Sequence, residues 1–367
     1  MNPSVRPTRP SDGLDRPPSW NHALQEVARQ ADLCLIVGPV DAGKSSFCLL
    51  AVNEALGAGR RPALIDTDPG QSDIGPPAAL GLALVKKPLR ELTQVSPTAI
   101  HFIGATSPVG HLLEIVTGAT LLVERARKLG ADLLIVNTSG IVTGPGRALK
   151  TAKIRLLAPS HIVSIAPEAE TEPLLAPLRG RAAPVVYRLK PSSRALRRDA
   201  EERRRRRECQ FAAYFREAQT NRADLRELVL QGTVWRSGEP LAGVNLSYAR
   251  SVLGTKVLWG ERTPEGAFFI VEGPPDRSGE AALAETFGGD IRVVESWLLE
   301  NLLVGLIDRE GEDMAMGIIK QVDFKQQLVT LISPRIEAER LAGLRLGTMR
   351  LRPDGTELGA LPTSTWG

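Results

Sequence analysis

Residues 38–45 read Gly38-Pro-Val-Asp-Ala-Gly43-Lys44-Ser45, which fits the pattern G-x-x-x-x-G-K-S in full. The stretch lies between an apolar run that ends at Val37 and a helical pattern that begins at Lys44. Glycines in such a loop let the backbone approach a phosphate closely, and the successive N–H groups and the helix N-terminus attract its oxygens. The sequence therefore predicts a nucleotide-binding P-loop between a strand and a helix.

The side chains of this loop have distinct expected roles. Lys44 should reach the β- and γ-phosphates of ATP, the hydroxyl of Ser45 should hold Mg²⁺, and Ser46 should contact the α-phosphate. The predicted cofactors are therefore ATP and Mg²⁺. The predicted ATP-binding residues are Gly38, Pro39, Val40, Asp41, Ala42, Gly43, Lys44, Ser45 and Ser46.

Two carboxylates follow the next apolar run, in the stretch Asp66-Thr-Asp68-Pro-Gly-Gln71. Ligands of open α/β sheets gather at the carboxyl ends of the strands, so this stretch should lie beside the P-loop. Residues two apart point the same way on a strand, so one carboxylate could hold Mg²⁺-bound water while the other approaches a nucleophile. Gln71 could orient a water or a hydroxyl. The alternative is that either aspartate caps a turn, since Asp-Pro-Gly is a common turn sequence.

Apolar runs and helical patterns alternate through the first half of the chain, which predicts βαβ units. The expected fold class is α/β: a P-loop NTPase parallel sheet with helices on both faces, an arginine-rich helical lid and a small β-rich C-terminal domain. We expect a disordered tail over residues 1–19, the P-loop domain over 20–222 and the C-terminal domain over 223–367. In that last domain the pattern predicts a strand over 228–235 and a helix near 295–303.

A basic stretch follows the last predicted parallel strand. We name residues 192–216 the lid; they include five consecutive arginines, Arg203 to Arg207, and end near Tyr214-Phe215. Arg203 and Arg207 share a helix face and could point together toward phosphates, with Arg198 in support. The remaining arginines could contact a nucleic-acid backbone. The alternative is a solvated helical face.

Composition limits the other possibilities. The chain has 367 residues, 43% of them hydrophobic, and a net charge of +4, which is typical of a globular protein of about two domains. Its three cysteines show no metal-ligand spacing, which indicates a reducing, cytoplasmic interior. The apolar runs are too short to span a bilayer, so no membrane partner is expected.

Two further segments carry polar residues: Gly104-Ala-Thr106-Ser107-Pro108, and Asn137-Thr138-Ser139-Gly140-Ile141 after another apolar run. Together with the P-loop, the acidic stretch and the lid, they resemble the polynucleotide 5′-hydroxyl kinase family. That family includes the RNA kinases of tRNA splicing, pre-mRNA cleavage and ribosomal-RNA processing. We name residues 137–141 the clasp, after the family segment Asn-Thr-x-Gly-Trp that they resemble.

The resemblance implies ATP-dependent phosphoryl transfer to the 5′-hydroxyl end of RNA or DNA. The implied catalytic residues are Lys44, Asp68, Arg203, Arg207 and Arg198, with Asp68 also holding the metal through water. The implied nucleic-acid contacts are Asp66, Gln71, Thr106, Ser107, Thr138, Ser139, Gly140 and Ile141. RNA-processing or repair proteins are possible partners.

One residue departs from the family pattern, since Ile141 occupies the place of the clasp tryptophan. An indole can stack on a base and isoleucine cannot do so equivalently, which leaves substrate affinity and end preference open.

Three other functions stay open. A relative could bind ATP without turnover, as a scaffold of an RNA-processing complex, although an intact Asp68 and the lid argue against this. An assembly ATPase of the deviant P-loop type is possible because Asp-x-Asp-Pro-Gly also occurs there, but Pro39 and Val40 occupy the region of its extra lysine. A small-molecule kinase would not need so many arginines.

Overall fold

The structure, a computed structural model, describes residues 15–195 and 198–366. The chain forms two compact units, which divide between Arg207 and Glu208.

The first unit contains a mixed sheet with helices on both faces. Its strands are β1 (Leu33–Val37), β2 (Pro62–Thr67), β3 (Ala79–Leu84), β4 (Ala99–Phe102), β5 (Leu133–Thr138), β6 (His161–Ile165) and β7 (Val185–Leu189). Its helices are α1 (Asn21–Gln30), α2 (Lys44–Gly57), α3 (Leu112–Lys128), α4 (Pro145–Leu157) and α5 (Glu172–Leu175), and α6 (Ala200–Tyr214) runs across the division between the units.

The sheet has the strand order β4-β3-β2-β5-β1-β6-β7. Strands β2, β5, β1, β6 and β7 are parallel, as the sequence predicts. Strand β3 is antiparallel to both β2 and β4 and is not among the predicted strands. Because β2, β5 and β1 are adjacent, their carboxyl ends bring the acidic stretch, the clasp and the P-loop to one edge of the sheet.

Two apolar cores cover the faces of this sheet. Residues of β1 are buried throughout, as expected for a strand covered on both sides. Helices α1 and α2 pack on one face, where Trp20 and Phe47 meet edge to face. Helix α3 packs on the other, through a stripe that includes Ile115, Ala119 and Leu122 at the spacing of an amphipathic helix.

The predicted N-terminal tail is only partly described. Residues 1–14 lie outside the described residues. At residues 15–19 the chain contacts the fold, contrary to the expected disorder: a 3₁₀ turn covers Pro18–Trp20, and Arg16 pairs with Glu54 of α2. Trp20 is fully buried and its Nε1 donates to the Lys190 carbonyl, so this turn is fixed by both packing and a hydrogen bond.

The second unit holds two sheets. A four-stranded sheet has the order β10-β11-β12-β13 and packs on α7 and α8; the larger sheet has the order β18-β17-β14-β15-β16-β8, with β9 beside β17. The elements are β8 (Gln219–Asp224), β9 (Val229–Gln231), β10 (Glu239–Pro240), α7 (Val244–Leu253), β11 (Val257–Thr263), β12 (Gly266–Val271), α8 (Glu280–Phe287), β13 (Asp290–Glu295), β14 (Leu302–Ile307), β15 (Asp313–Asp323), β16 (Leu328–Ser333), β17 (Gly343–Leu351) and β18 (Glu357–Ala360).

Several details of this unit differ from the sequence predictions. The prediction of a helix near residues 295–303 is wrong. Strand β13 ends at Glu295 and a short 3₁₀ turn follows it. Asn301, with φ 63°, then lies between this turn and β14. The leucines there look helical because β14 is buried on both faces and so lacks alternation. The strand expected over 228–235 is confined to Val229–Gln231, and the domain boundary expected at residue 222 falls inside β8.

Among the described residues, no helix combines the length and the apolar character needed to cross a membrane.

Candidate active site

A cavity of about 520 Å³ opens at the edge of the first sheet where β1, β2 and β5 end. Most of the residues that the sequence singles out line it together. They are Val40, Asp41, Ala42, Gly43, Lys44, Ser45, Ser46, Asp68, Gln71, Thr106, Thr138, Ser139, Gly140, Ile141, Arg198, Arg203 and Arg207. Gly38, Pro39, Asp66 and Ser107 are not among the lining residues.

The P-loop is fixed from below by close backbone packing. A Cβ atom at Gly38 would lie 2.1 Å from the Ile165 carbonyl oxygen at the end of β6, so only glycine fits there. Lys44 is buried, and its Nζ donates to the Pro39 carbonyl at 2.7 Å. Burial lowers the pKa of Lys44, and the nearby Asp68 carboxylate opposes that shift. The lysine is thus folded back over its own loop, beside the cavity.

Asp66 lies beneath the cavity and organises the loop above it. Its Oδ1 accepts the Asp68 N–H at 3.1 Å and the Asn137 Nδ2 at 3.3 Å, and its Oδ2 accepts the Asp73 N–H at 2.6 Å. Burial, with the charges of Asp73 and Asp68, raises the pKa of Asp66 to about 8. The structure therefore corrects the expected contact between Asp66 and the substrate: this fully buried carboxyl contacts protein.

Of Asp66 and Asp68, Asp68 is the one that lines the cavity. Strand β2 ends at Thr67, so the alternation of a strand does not extend to Asp68, and the two aspartates have different surroundings. The Asp68 Oδ1 accepts the Gly70 N–H at 3.0 Å, which fixes the side chain while its second oxygen can act on a ligand.

The clasp lies directly against the P-loop. A Cβ at Gly140 would lie 2.4 Å from the Val40 side chain and 2.7 Å from its backbone, so the two loops touch. Thr138 Oγ1 donates to the Ile36 carbonyl of β1 at 2.7 Å, which joins β5 to the P-loop strand. The Ser139 Oγ is buried without a hydrogen-bond partner among the described residues, and Ser139 lines the cavity. A buried polar atom without a partner at a cavity wall suits a polar ligand.

The lid contacts the P-loop and the acidic loop. Asp41 Oδ2 accepts the Arg198 N–H at 2.9 Å and pairs with Arg203 Nη2 at 3.2 Å. Arg206 Nη2 pairs with Asp73 Oδ1 at 2.6 Å. The Arg203 Nε is buried without a hydrogen-bond partner among the described residues, although the residue lines the cavity. Acidic side chains thus hold the guanidinium groups of Arg203 and Arg206 at the cavity, and the Arg203 Nε remains a donor for an anionic ligand.

Some residues at the site were missed by sequence reasoning. The cavity is also lined by Gly70, Asp73, Pro108, Asn137, Arg194, Ala195 and Arg206. Asn137 belongs to the clasp, but no contact is predicted for it from the sequence. Nothing in the sequence distinguishes Arg206, because five consecutive arginines do not indicate which of them face the cavity.

Two buried lysines of α4 were missed as well. Lys150 Nζ donates to the carbonyls of Ser139 at 2.7 Å and Ile141 at 2.6 Å. Lys153 Nζ donates to Thr67 Oγ1 at 2.7 Å. Buried positions of a helix are normally recognised by apolar side chains that recur at helical spacing. Lysines at such positions therefore do not reveal from the sequence that they are buried.

The charge of the cavity suits a polyanion. Its lining carries six cationic side chains, from Lys44, Arg194, Arg198, Arg203, Arg206 and Arg207, against three anionic ones, from Asp41, Asp68 and Asp73. The donor set also fits Mg²⁺, since the Ser45 hydroxyl and the Asp68 carboxylate line the same cavity. Mg²⁺ usually takes one or two protein oxygens and completes its shell with phosphates and water. The described residues contain no metal cluster of three or more His, Cys, Asp or Glu side chains.

The chain is similar in sequence to a known protein family and to proteins named as kinases. Residues 38–217 match the model of the family described as mRNA cleavage and polyadenylation factor CLP1 P-loop. The polyribonucleotide 5′-hydroxyl-kinase of Pyrococcus abyssi is 30% identical over 336 residues, which cover 92% of each chain. That of Methanocaldococcus jannaschii is 29% identical over 329 residues, which cover 89% of each chain.

Solved structures share the fold. A chain in the structure of a wild-type Clp1p–Pcf11p complex aligns with a TM-score of 0.58 and 13% identity, over 90% of this chain and 78% of that one. Because the sequence relatives align over 89–92% of each chain, the assignment does not depend on the P-loop alone. The chain belongs to the family of these polyribonucleotide 5′-hydroxyl-kinases, and its residues 38–217 form a CLP1 P-loop region.

Proposed function

We propose that this chain transfers the γ-phosphoryl group of ATP to the 5′-hydroxyl end of RNA. The observation that carries the proposal is that one cavity combines the P-loop lysine, Asp68, the clasp and the lid arginines. A phosphate site alone would suit any nucleotide-binding protein. A carboxylate and a polar clasp beside it supply what a second, hydroxyl-bearing substrate needs.

The chemistry divides among these residues. The P-loop N–H groups and Lys44 hold the triphosphate, and Asp68 accepts the proton of the attacking 5′-hydroxyl. Arg203 and Arg207 stabilise the charge that develops on the transferring phosphoryl group, with Arg198 placing Arg203 through its carbonyl, which accepts from Arg203 Nη2 at 2.5 Å. Mg²⁺, held by Ser45 and through water by Asp68, would neutralise the phosphate oxygens.

The polynucleotide occupies the clasp side of the cavity in this proposal. In it, Ser139, Gly140 and Ile141 contact the terminal nucleotide, and Gln71 and Thr106 are further contacts from the same cavity. Ser139 Oγ gives the clasp a polar group that is free to bind the strand. We propose RNA as the substrate because these relatives are named polyribonucleotide 5′-hydroxyl-kinases, and DNA is the alternative substrate to be tested.

The direct test uses labelled ATP with oligonucleotides of one sequence, prepared as 5′-hydroxyl RNA, 5′-hydroxyl DNA and 5′-phosphate RNA. Label should enter the first and not the third, because the third has no free hydroxyl at its end. Labelling of DNA would extend the substrate range. Binding of ATP with no labelling of either 5′-hydroxyl strand would favour the scaffold alternative.

The setting of this reaction is also a proposal. We place it in the cytoplasm, since all three cysteines are free and two of them, Cys34 and Cys48, are buried thiols. RNA-processing or repair proteins stay the expected partners.

The lid arginines should divide into two classes. Arg203→Ala should lower kcat by about 10²- to 10³-fold, because Arg203 lines the cavity with a free Nε and a single well-placed donor to developing charge has that effect. Arg205→Ala is the matched control: Arg205 is exposed and pairs with Glu201 one turn away, so kcat should stay within about twofold. Similar small losses in both variants would support the solvated-face interpretation of the lid.

Ile141→Trp should lower the KM for 5′-hydroxyl RNA by about fivefold or more, since stacking on a base contributes about 1–3 kcal/mol. The KM for ATP should not change. Ile141→Leu, which adds no ring, is the control and should leave both values unchanged. The space around residue 141 on the α4 side is limited, because a Cβ at Gly146 would lie 2.4 Å from the Ile141 Cγ2. A fall in both kcat and Tm would indicate a clash with α4, and no change in any parameter would show that Ile141 lies away from the substrate.

A further inference from the structure

Helix α4 carries two lysines whose amines are inside the protein. Lys150 and Lys153 lie one turn apart and are 0% and 1% exposed. Burying an amine is unfavourable unless hydrogen bonds replace its water, and both amines here bond to backbone or side-chain oxygens of the active-site loops. Neither bonds to a carboxylate in the described structure, so neither is half of a buried ion pair.

Lys150 fixes the orientation of the clasp backbone. Its Nζ donates to two carbonyls, those of Ser139 and Ile141, which lie on either side of Gly140 in the chain. In a trans peptide the N–H points opposite to the carbonyl, so the N–H groups of Gly140 and Val142 are directed away from Lys150. Gly140 lines the cavity and Val142 does not, so the donor that this arrangement can offer to a ligand is the Gly140 N–H.

Backbone N–H groups are common ligands of nucleic-acid phosphates, and they carry no sequence preference. A clasp with donors held in place suits an enzyme that must accept many strands by their ends. In this chain the clasp lacks the aromatic residue of its family pattern, so donors of this kind would contribute a larger part of the strand affinity.

Lys153 contacts the end of β2, just before the loop that carries Asp68. Its Nζ donates to Thr67 Oγ1 at 2.7 Å and reaches the Thr67 carbonyl at 3.5 Å. Thr67 Oγ1 in turn donates to the Asn137 carbonyl at 2.6 Å. Thr67 immediately precedes Asp68, so Lys153 acts on the backbone from which the proposed base projects.

The pKa values of Lys150 and Lys153 reflect their burial near the charged residues of the active site. Burial lowers the pKa of both lysines to about 7, and the charge of Lys44 adds to the shift at Lys150. The Asp68 carboxylate favours the charged form of both amines. The charges of Lys44 and Asp68 therefore act on Lys150, and those of Lys150 and Asp68 act on Lys153.

We propose that Lys150 is a positioning residue that orients the clasp backbone to bind a phosphate of the polynucleotide, and that Lys153 is a positioning residue that orients Asp68. This inference rests on the proposed function, because it assigns the clasp to the nucleic-acid strand. It predicts that two equally buried lysines on one helix control different kinetic parameters.

The experiment compares Lys150→Met with Lys153→Met, the same substitution at matched burial. Lys150→Met should raise the KM for 5′-hydroxyl RNA by about tenfold, with kcat and the KM for ATP within about twofold. Lys153→Met should lower kcat by about tenfold and leave both KM values within about twofold. We expect similar falls in Tm for both variants. If the two lysines had only a structural role, both variants would therefore show the same changes in kcat and KM. That common pattern, or wild-type kinetics in Lys150→Met, would overturn the proposal.

A second readout does not depend on activity. Amide hydrogen exchange over residues 138–143 should be faster in Lys150→Met than in the wild type or in Lys153→Met, and equal exchange in all three would refute the role of Lys150. If Lys150→Met does not fold, Lys150→Gln keeps one amide donor and should give a smaller increase in the same KM; an unchanged KM would count against the proposal. A wild-type protein that labels no 5′-hydroxyl strand would overturn the proposed function and the strand role of the clasp, while hydrogen exchange would still decide whether Lys150 holds the clasp.

Discussion

Replacing Lys44 with alanine should reduce kcat by about 10³-fold or more, because the variant loses the only lysine of the P-loop and with it a charge aimed at the transferring phosphoryl group. The fold should be retained. Lys44 Nζ bonds to the Pro39 carbonyl of its own loop, and burial already disfavours its charged form. The measurement is the initial rate of label transfer at saturating RNA, with circular dichroism and Tm as checks on folding.

A matched control lies in the same helix. Lys44 begins α2, and Asn53 lies about two turns later, where its amide bonds to the backbone of Leu89 away from the cavity. Asn53→Ala should lower Tm and leave kcat unchanged. Full kinase activity in Lys44→Ala would show that the phosphates bind elsewhere, and a similar loss of kcat in both variants would trace it to the helix as a whole.

Replacing Asp68 with asparagine should lower kcat by about 10²- to 10⁴-fold while ATP still binds with little change in affinity. An asparagine Oδ1 can still accept the Gly70 N–H, so the loop keeps its shape. The amide cannot take up the proton of the 5′-hydroxyl. ATP affinity by calorimetry and kcat by label transfer must therefore be measured separately.

Asp68→Ala separates the two tasks of this carboxylate. It removes the acceptor of the Gly70 N–H as well as the base, so it should also lower Tm, unlike Asp68→Asn. Parallel losses of ATP affinity and rate in Asp68→Asn would show that the residue supports the loop and does not handle the proton.

The sequence alone predicts the parallel part of the first sheet and its motifs closely. The strand before the P-loop ends at Val37 and the helix after it begins at Lys44, as predicted. Apolar β-branched runs that end in Gly, Asp or Asn leave few alternatives for a buried parallel strand. The same regularity places the P-loop, Asp68 and the clasp at one edge, because parallel strands end on the same side.

The second unit was less predictable. Strand β14 is apolar on both faces, so its leucines fit a helix as well as a strand, and only the backbone at Asn301 separates the two. Helices α7 and α8 were missed because each is short and surrounded by strand-like runs. Pairing with distant strands, which a local pattern does not contain, determines these elements.

Within the site, the buried lysines of α4 and one lid arginine were among the residues missed. Lys150 and Lys153 appear in the sequence as polar residues of a helix, and their burial depends on two loops that come from different strands. Arg206 could not be told from its neighbours, because its partner Asp73 is distant in sequence. Asp66 was assigned to the substrate because strand alternation was extended past Thr67, where the strand ends.

The contacts of Asp66 have a consequence for the entropy of catalysis. Fixing the backbone of one residue costs about 1–2 kcal/mol, and the loop that carries Asp68 is held at both Asp68 and Asp73 by a single carboxyl group. That ordering is completed when the protein folds, before any ligand binds. In the proposed reaction Asp68 is therefore preorganised, so that the free energy of substrate binding would serve to align the hydroxyl with the phosphoryl group instead of closing a loop.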